Sequence, residues 1–219
     1  DVWYGGNDRM VLRIKESDDP SYVTLFPPVD STIVYAFDWV IVSVTTKIGS
    51  PLNGDNEVYI TFRAFSGVTM QMEFSAAPGN NLPDGGRVDL WWERNYPVNF
   101  LSHVDQSITF GIPAGADSAI TVASYNNRSG SGAVDDISTF SGLGPRRDGV
   151  LKPDISSLGG MVMSSVPGGY DMFSGTSMSS PHVAGAVALL LQQDSSLTNY
   201  QVKNKLFTEG GQLSVTLTS

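Results

Sequence analysis

The sequence predicts a mixed fold, with an all-β region up to about residue 106 and an α/β region after it. Three observations lead there. Period-two alternation broken by turn residues runs through the first half, with no sustained 3.6-residue period. The pattern then changes near Ser107. Two helices with recognisable punctuation lie toward the C-terminal end.

Candidate strands of the first region are 10–14, 22–26, 32–37, 40–46, 58–65, 69–74 and 88–92. Val58-Tyr59-Ile60-Thr61-Phe62 is the clearest, since alternate residues of a strand face opposite sides and one side is apolar. Turn chemistry separates the strands at Asn53-Gly54-Asp55, at Pro78-Gly79-Asn80-Asn81 and at Pro83-Asp84-Gly85-Gly86. Short strands at this spacing predict an antiparallel, jelly-roll-like β-sandwich over 1–106. In the second region Ile120-Thr121-Val122-Ala123 reads as a buried strand, and a Gly/Ser/Asp loop follows. A helix then starts near Gly175 and runs to about Gln193. It is apolar or small on every side from 183 to 191, and such a helix is expected to be buried among other elements. The last helix carries a capping box, Thr198 with Gln201. Leu197 and Val202 are spaced for a hydrophobic staple, and Gly210 is placed to stop it.

Composition narrows the function classes. The chain has 219 residues, 41% of them hydrophobic, and a formal charge of −9. That charge opposes nucleic-acid binding, which needs clustered Lys and Arg, and opposes attraction to anionic membranes. No apolar run is long enough to span a bilayer. Cysteine is absent, which removes disulfides and thiolate metal sites. The sequence opens at Asp1 without an initiator Met or leader and stops after an alternating stretch, so it reads as a piece of a longer product.

Chemistry concentrates in Gly175-Thr176-Ser177-Met178-Ser179-Ser180-Pro181-His182-Val183-Ala184-Gly185. A glycine approach delivers Ser177 to the first turn of a helix, where unpaired N–H groups and the positive dipole end can hold an oxyanion. Pro181 falls in the first turn, where a missing N–H is tolerable.

This stretch resembles the serine motif of the subtilisin-like serine proteases, the subtilase family (peptidase family S8). The resemblance extends upstream through Phe140-Ser141-Gly142-Leu143-Gly144-Pro145 and Gly149-Val150-Leu151-Lys152-Pro153-Asp154-Ile155. It continues to Ile112-Pro113-Ala114 and Ala119-Ile120-Thr121-Val122-Ala123, and so covers about 107–210. It implies that 107–219 is the C-terminal part of an α/β subtilisin-like catalytic domain, with Ser177 the nucleophile that forms an acyl-enzyme. Family members use an Asp–His–Ser triad and an oxyanion Asn. The Asp, His and Asn motifs are not found here, so they are expected outside this chain, and the isolated chain is expected to be inactive.

Other residues receive expectations by the same resemblance. Gly111 is a candidate floor of the substrate pocket, set against a plain strand glycine. Pro113, Gly175 and Thr176 join it as candidate substrate-binding residues, and the Ile112–Pro113 bond is expected to be cis. His182 follows Ser177 by five residues on one helix and is expected to be structural rather than the base. His103 is expected at a surface or seam. Asp30, in Val-Asp-Ser-Thr, resembles the family's Asp motif but lacks its glycine, and reads as a turn residue. Ser157-Leu158-Gly159 departs from the family's Ala-Pro-Gly. No cofactor is assigned with certainty; calcium, used by many relatives, has its candidate at Asp135-Asp136, set against a solvated acidic loop. Asn127-Arg128-Ser129 is a glycosylation sequon, and Arg146-Arg147 reads as a solvated pair.

Subtilases sometimes carry a β-domain inserted ahead of the serine segment, and the arrangement here is similar to that of clostridial Csp-type proteases with their inserted jelly roll. The expected partners are a peptide or protein substrate, together with a complementary protease segment or a second copy of the chain. A secreted or cell-surface, bacterial setting is expected. A different class stays open: a pseudoprotease whose β-sandwich is a protein- or carbohydrate-binding module, with Trp91 or Trp92 as a stacking platform.

Overall fold

The structure, a computed structural model, describes all residues except 26–29, 38–39, 52, 65–66, 93–98, 127–135 and 211–219. The chain divides into two compact units, Asp1–Asn99 and Phe100–Ser219.

The first unit is all antiparallel β. Its strands are β1 (Val2–Tyr4), β2 (Met10–Glu16), β3 (Val23–Leu25), β4 (Ser31–Ala36), β5 (Val40–Lys47), β6 (Asn56–Ala64), β7 (Met70–Ala76) and β8 (Val88–Leu90). One sheet has the order β4-β5-β6-β1-β8 and the other β3-β2-β7. Alternation decides which side is inside. Val40, Val42 and Val44 of β5 are buried, as are Val58 and Ile60 of β6, with Val44 opposite Ile60 in the register. They share one apolar cluster with Val2 and Tyr4 of β1 and with Met10, Leu12 and Ile14 of the second sheet, so the two sheets close on a common core.

Polar side chains lock the corners of this unit. Asp8 is fully buried, and its carboxylate accepts from the N–H groups of Asp84 (2.8 Å) and Gly86 (3.0 Å). Gly85 and Gly86 have φ of +87° and +68°, a conformation that costs glycine nothing, and it aims the amide of Gly86 at that carboxylate. Asn56, also buried, donates from its amide to Gly5 O (3.0 Å) and accepts from Gly49 N–H (3.2 Å). The seven expected strands correspond to β2–β8, with bounds shifted by a few residues. The short β1 was not anticipated; three residues hold too little alternation to read. Phe26 and Phe65, at the ends of two expected strands, lie outside the described residues.

In the second unit β9 (Val122–Tyr125) pairs in parallel with β10 (Ile155–Leu158). A hairpin follows, β11 (Val162–Val166) and β12 (Gly169–Phe173), and then α1 (Thr176–Gln193) and α2 (Asn199–Glu209). The stretch expected to be loop therefore contains β10, β11 and β12. The tight turn of the hairpin uses Gly168, at φ +91°. The capping box of α2 is present, with Thr198 N–H donating to Gln201 Oε1 (2.8 Å) and Gln201 N–H to the Thr198 hydroxyl (3.4 Å). Gly210 ends α2 for a steric reason: its φ is −67°, and a Cβ there would stand 2.7 Å from Leu206 O.

Two expectations about α1 are corrected. Pro181, expected in the first turn, is the sixth residue of the helix and lies beyond that turn. The helix α1 is not buried all round: only Ser179 and Val183 are buried in it, while Leu189 is 67% exposed. It packs on β9 and β10, and two strands cover only one side of a helix.

Candidate active site

The first turn of α1 is seated by close backbone approach. Gly175, its N-cap, donates its N–H to Gly159 O (2.8 Å) and accepts from Met178 N–H (2.9 Å). Gly159, just beyond β10, donates to Tyr125 O (3.2 Å) and so extends the β9–β10 ladder toward the helix. A Cβ on buried Gly159 would stand 2.2 Å from Ser179 Oγ, 2.3 Å from Ser124 Oγ and 2.7 Å from Gly175 O. Only a glycine allows this seat. The departure at Ser157-Leu158-Gly159 thus keeps the glycine, with Ser157 and Leu158 inside β10.

Behind the seat runs a buried polar chain. The hydroxyls of Ser124 and Ser138 are 2.8 Å apart, Ser138 donates to Asn126 Oδ1 (3.0 Å), and Ser124 N–H donates to Ser141 Oγ (3.0 Å). All four residues are buried, so each partner offsets the desolvation of the next. Ser179 is the exception. Its hydroxyl is buried, with no hydrogen-bond partner among the described residues.

Ser177 occupies the second position of α1 and is exposed. The N–H groups of Thr176 and Ser177 precede the first intrahelical bond, whereas that of Met178 is taken by Gly175 O, and no acidic residue lies in that turn to compete for them. The site therefore offers a hydroxyl beside outward N–H donors at the positive end of a helix dipole. Thr176 and Gly175 share this segment. Gly111 and Pro113 lie in a separate exposed loop, where Ala114 N–H donates to Gly111 O (2.9 Å). Gly111 is in a turn, not in a strand, and the Ile112–Pro113 bond is cis.

Neither histidine is hydrogen-bonded to Ser177 among the described residues. His182 Nδ1 lies 2.8 Å from Met178 O, one turn back on its own helix. His103 is exposed in an irregular segment at φ +56°. Asp30 accepts from Ile48 N–H (3.0 Å), 18 positions on and just beyond the end of the β4–β5 ladder. The sequon 127–129 and Asp135 lie outside the described residues. Among the described residues no acidic or histidine cluster is placed to hold a metal, and no helix is long and apolar enough to cross a membrane.

Two charge networks escaped the sequence reading. The Lys152 side chain is 1% exposed, and its ammonium donates to Asp154 Oδ2 (2.7 Å), Ala119 O (2.7 Å) and Thr121 Oγ1 (3.2 Å). Lys203 of α2 reaches Asp154 Oδ1 at 2.7 Å, and Thr121 N–H donates to Oδ2 (2.8 Å). Burial pushes the Asp154 carboxyl up, but the bonds from Lys152, Lys203 and Thr121 outweigh it and leave it below its usual range. The Asp154 bond raises Lys203. This clasp joins the start of β9, the approach to β10 and α2. The second network centres on Arg146, which bonds Asp148, Asp117 and Gly115 O; it is a partnered residue, not a solvated one. Asp154 and Asp148 lie two places from their partners, but the other contacts, some 30 positions away, leave no local pattern to read.

The model of the subtilase family, Peptidase_S8, matches residues 43–214. Subtilisin of Bacillus pumilus is 38% identical over 99 residues, 45% of this chain and 32% of its own length. Pyrolysin of Pyrococcus furiosus is 52% identical over 58 residues, 25% of this chain and 4% of its own. The chain thus spans a third or less of these curated relatives. The structure of the Clostridium perfringens CspB protease superposes with a TM-score of 0.73 at 20% identity, over 96% of this chain and 45% of that one, which is a likeness of fold. With its family model matched over most of its length, from β5 through both helices, the chain belongs to the subtilase family of serine proteases.

Proposed function

We propose that this chain carries the nucleophile of a subtilisin-like serine endopeptidase, Ser177, within the C-terminal part of the catalytic domain (107–219), behind a jelly-roll-like inserted domain (1–106). The observation that carries the reading is the exposed Ser177 hydroxyl in the glycine-seated first turn of α1. In the reaction the Ser177 oxygen attacks the scissile carbonyl carbon while its proton passes to a histidine. The carbonyl oxygen becomes an oxyanion held by first-turn N–H groups and an Asn side chain. Collapse of this intermediate protonates and expels the amine, leaving an ester on Ser177 that water hydrolyses. The histidine, its orienting Asp and the Asn come from a segment outside this chain. Gly175 and Thr176 line the site from the serine side, and Gly111 and Pro113 form a wall of the substrate pocket.

A protein segment that completes the domain has a surface to meet. Between α1 and α2 lies an open groove of about 320 Å³, with Ile155, Leu189, Leu190 and Leu206 on its apolar side and Lys205 and Glu209 also lining it. The complementary protease segment covers this face; without it, a second copy of the chain does. A secreted or cell-surface setting follows from the family resemblance. The test is hydrolysis of a peptide library by the chain combined with a protease segment that carries the Asp, His and Asn motifs. Turnover is expected, with loss by several orders of magnitude on Ser177→Ala. Undiminished turnover in that variant refutes the assignment. No turnover from a correctly folded complex favours the pseudoprotease reading.

A further inference from the structure

The loop that carries Gly111 and Pro113 has no strand to hold it, so its shape depends on its anchors. Inside it, Ala114 N–H donates to Gly111 O (2.9 Å) and Ala116 N–H to Pro113 O (3.0 Å). Upstream, Thr109 exchanges two bonds with Leu143: its N–H donates to Leu143 O (2.8 Å), and its hydroxyl accepts from Leu143 N–H (2.9 Å). Downstream, Thr121 donates to Ala114 O and Lys203 to Asp117 O (3.3 Å).

Arg146 reaches across from the opposite segment. Its Nη1 donates to Gly115 O (2.9 Å) and bonds the Asp117 carboxylate, while Nε (2.8 Å) and Nη2 engage both oxygens of Asp148. The side chain is 23% exposed. Its own backbone is fixed, since its N–H donates to Val150 O (2.8 Å) and its carbonyl accepts from Gly149 N–H (2.8 Å). The bond from Arg146 holds Asp148 down at about 2, so this pair stays charged across ordinary pH. Two edges of a planar fork are in use at once, which an ammonium cannot reproduce.

We infer that Arg146 is a positioning residue for substrate binding: oriented by Asp148, it clamps 115–117 and thereby sets the 111–113 wall. The inference rests on the reading of Gly111 and Pro113 as substrate-lining. Arg146 touches no reacting atom, so its loss weakens substrate binding while leaving the chemistry at Ser177 in place.

Two measurements test it. Hydrogen exchange on this chain, comparing wild type with Arg146→Met, Arg146→Lys and Asp148→Asn, is expected to show the amides of Ala114 and Ala116 exchanging at least about tenfold faster in Arg146→Met. Arg146→Lys and Asp148→Asn fall between. In the protease completed with its Asp, His and Asn segment, KM for a peptide substrate is expected to rise about tenfold or more in Arg146→Met, with kcat within about twofold. Arg146→Lys restores part of it. Unchanged exchange overturns the inference, as does faster exchange with an unchanged KM. A fall in kcat equal to that in kcat/KM reassigns Arg146 to general stability and overturns it as well. If wild type itself shows no turnover, the reading of the site fails and takes this inference with it; the exchange result separates that case from failure of the clamp alone.

Discussion

Replacing Lys152 by Met probes the clasp that holds the second unit together. The ammonium sits on a side chain 1% exposed and makes three hydrogen bonds, to Asp154, Ala119 O and Thr121. Methionine matches its length and removes its charge. Breaking a buried pair by deleting one partner costs about 3–5 kcal/mol, because the remaining charge stays desolvated. Here Asp154 keeps Lys203 at 2.7 Å and the Thr121 N–H at 2.8 Å, which places the loss at the lower end, about 3 kcal/mol. With a urea m-value of about 2 kcal/mol/M, the midpoint falls by roughly 1.5 M. Circular dichroism at 222 nm is the assay, since both α1 and α2 lie in this unit. All four tryptophans lie in the first 92 residues, so their fluorescence follows the other unit separately. The pH dependence has a definite sign. Asp154 is held below its unfolded value, so its contribution is present above about pH 4 and is lost as pH falls through the folded value. The penalty of Lys152→Met should therefore shrink in acid. Lys203 is raised, so its contribution is full below about pH 10 and disappears as pH rises through its folded value. A midpoint shift under about 0.5 M, or a penalty that grows in acid, refutes the reasoning.

Three further outcomes follow from the packing. Gly159→Ala forces a carbon against two hydroxyls and the Gly175 carbonyl, and urea unfolding should show a loss of about 2–3 kcal/mol. Ser179→Ala deletes a buried hydroxyl that has no partner among the described residues, and the same assay should find it neutral or stabilising by about 1 kcal/mol. Leu189→Lys places a charge on the exposed apolar face of α1, and sedimentation velocity should show less self-association than wild type.

What the sequence revealed was mostly local. The capping box at Thr198 and Gln201, the glycine before Ser177 and the period-two runs of β5 and β6 each declare themselves within a few residues, and the structure places them accordingly. The hairpin of β11 and β12 was missed although Pro167-Gly168 marks its turn, because β11 carries Ser164-Ser165 in place of alternation and β12 is exposed throughout. Burial of α1 was overstated because an apolar helix reports what it needs, not what these residues supply. Lys152, Arg146 and Gly159 were unread for another reason: apart from Asp154 and Asp148, each two places from its partner, the residues they act on lie about 16 to 35 positions away, outside any local window.

The central claim, that Ser177 is a nucleophile awaiting a base from outside this chain, is tested most directly by covalent labelling. The chain is treated with a fluorophosphonate probe, alone and then with a protease segment that carries the Asp, His and Asn motifs, and the adduct is mapped by mass spectrometry. Without a base the hydroxyl stays protonated and reacts orders of magnitude more slowly. The account predicts no adduct on the chain alone and one adduct per chain, on Ser177, in the completed protease. Stoichiometric labelling of Ser177 in the chain alone, or an adduct on any other residue of the complex, would contradict it.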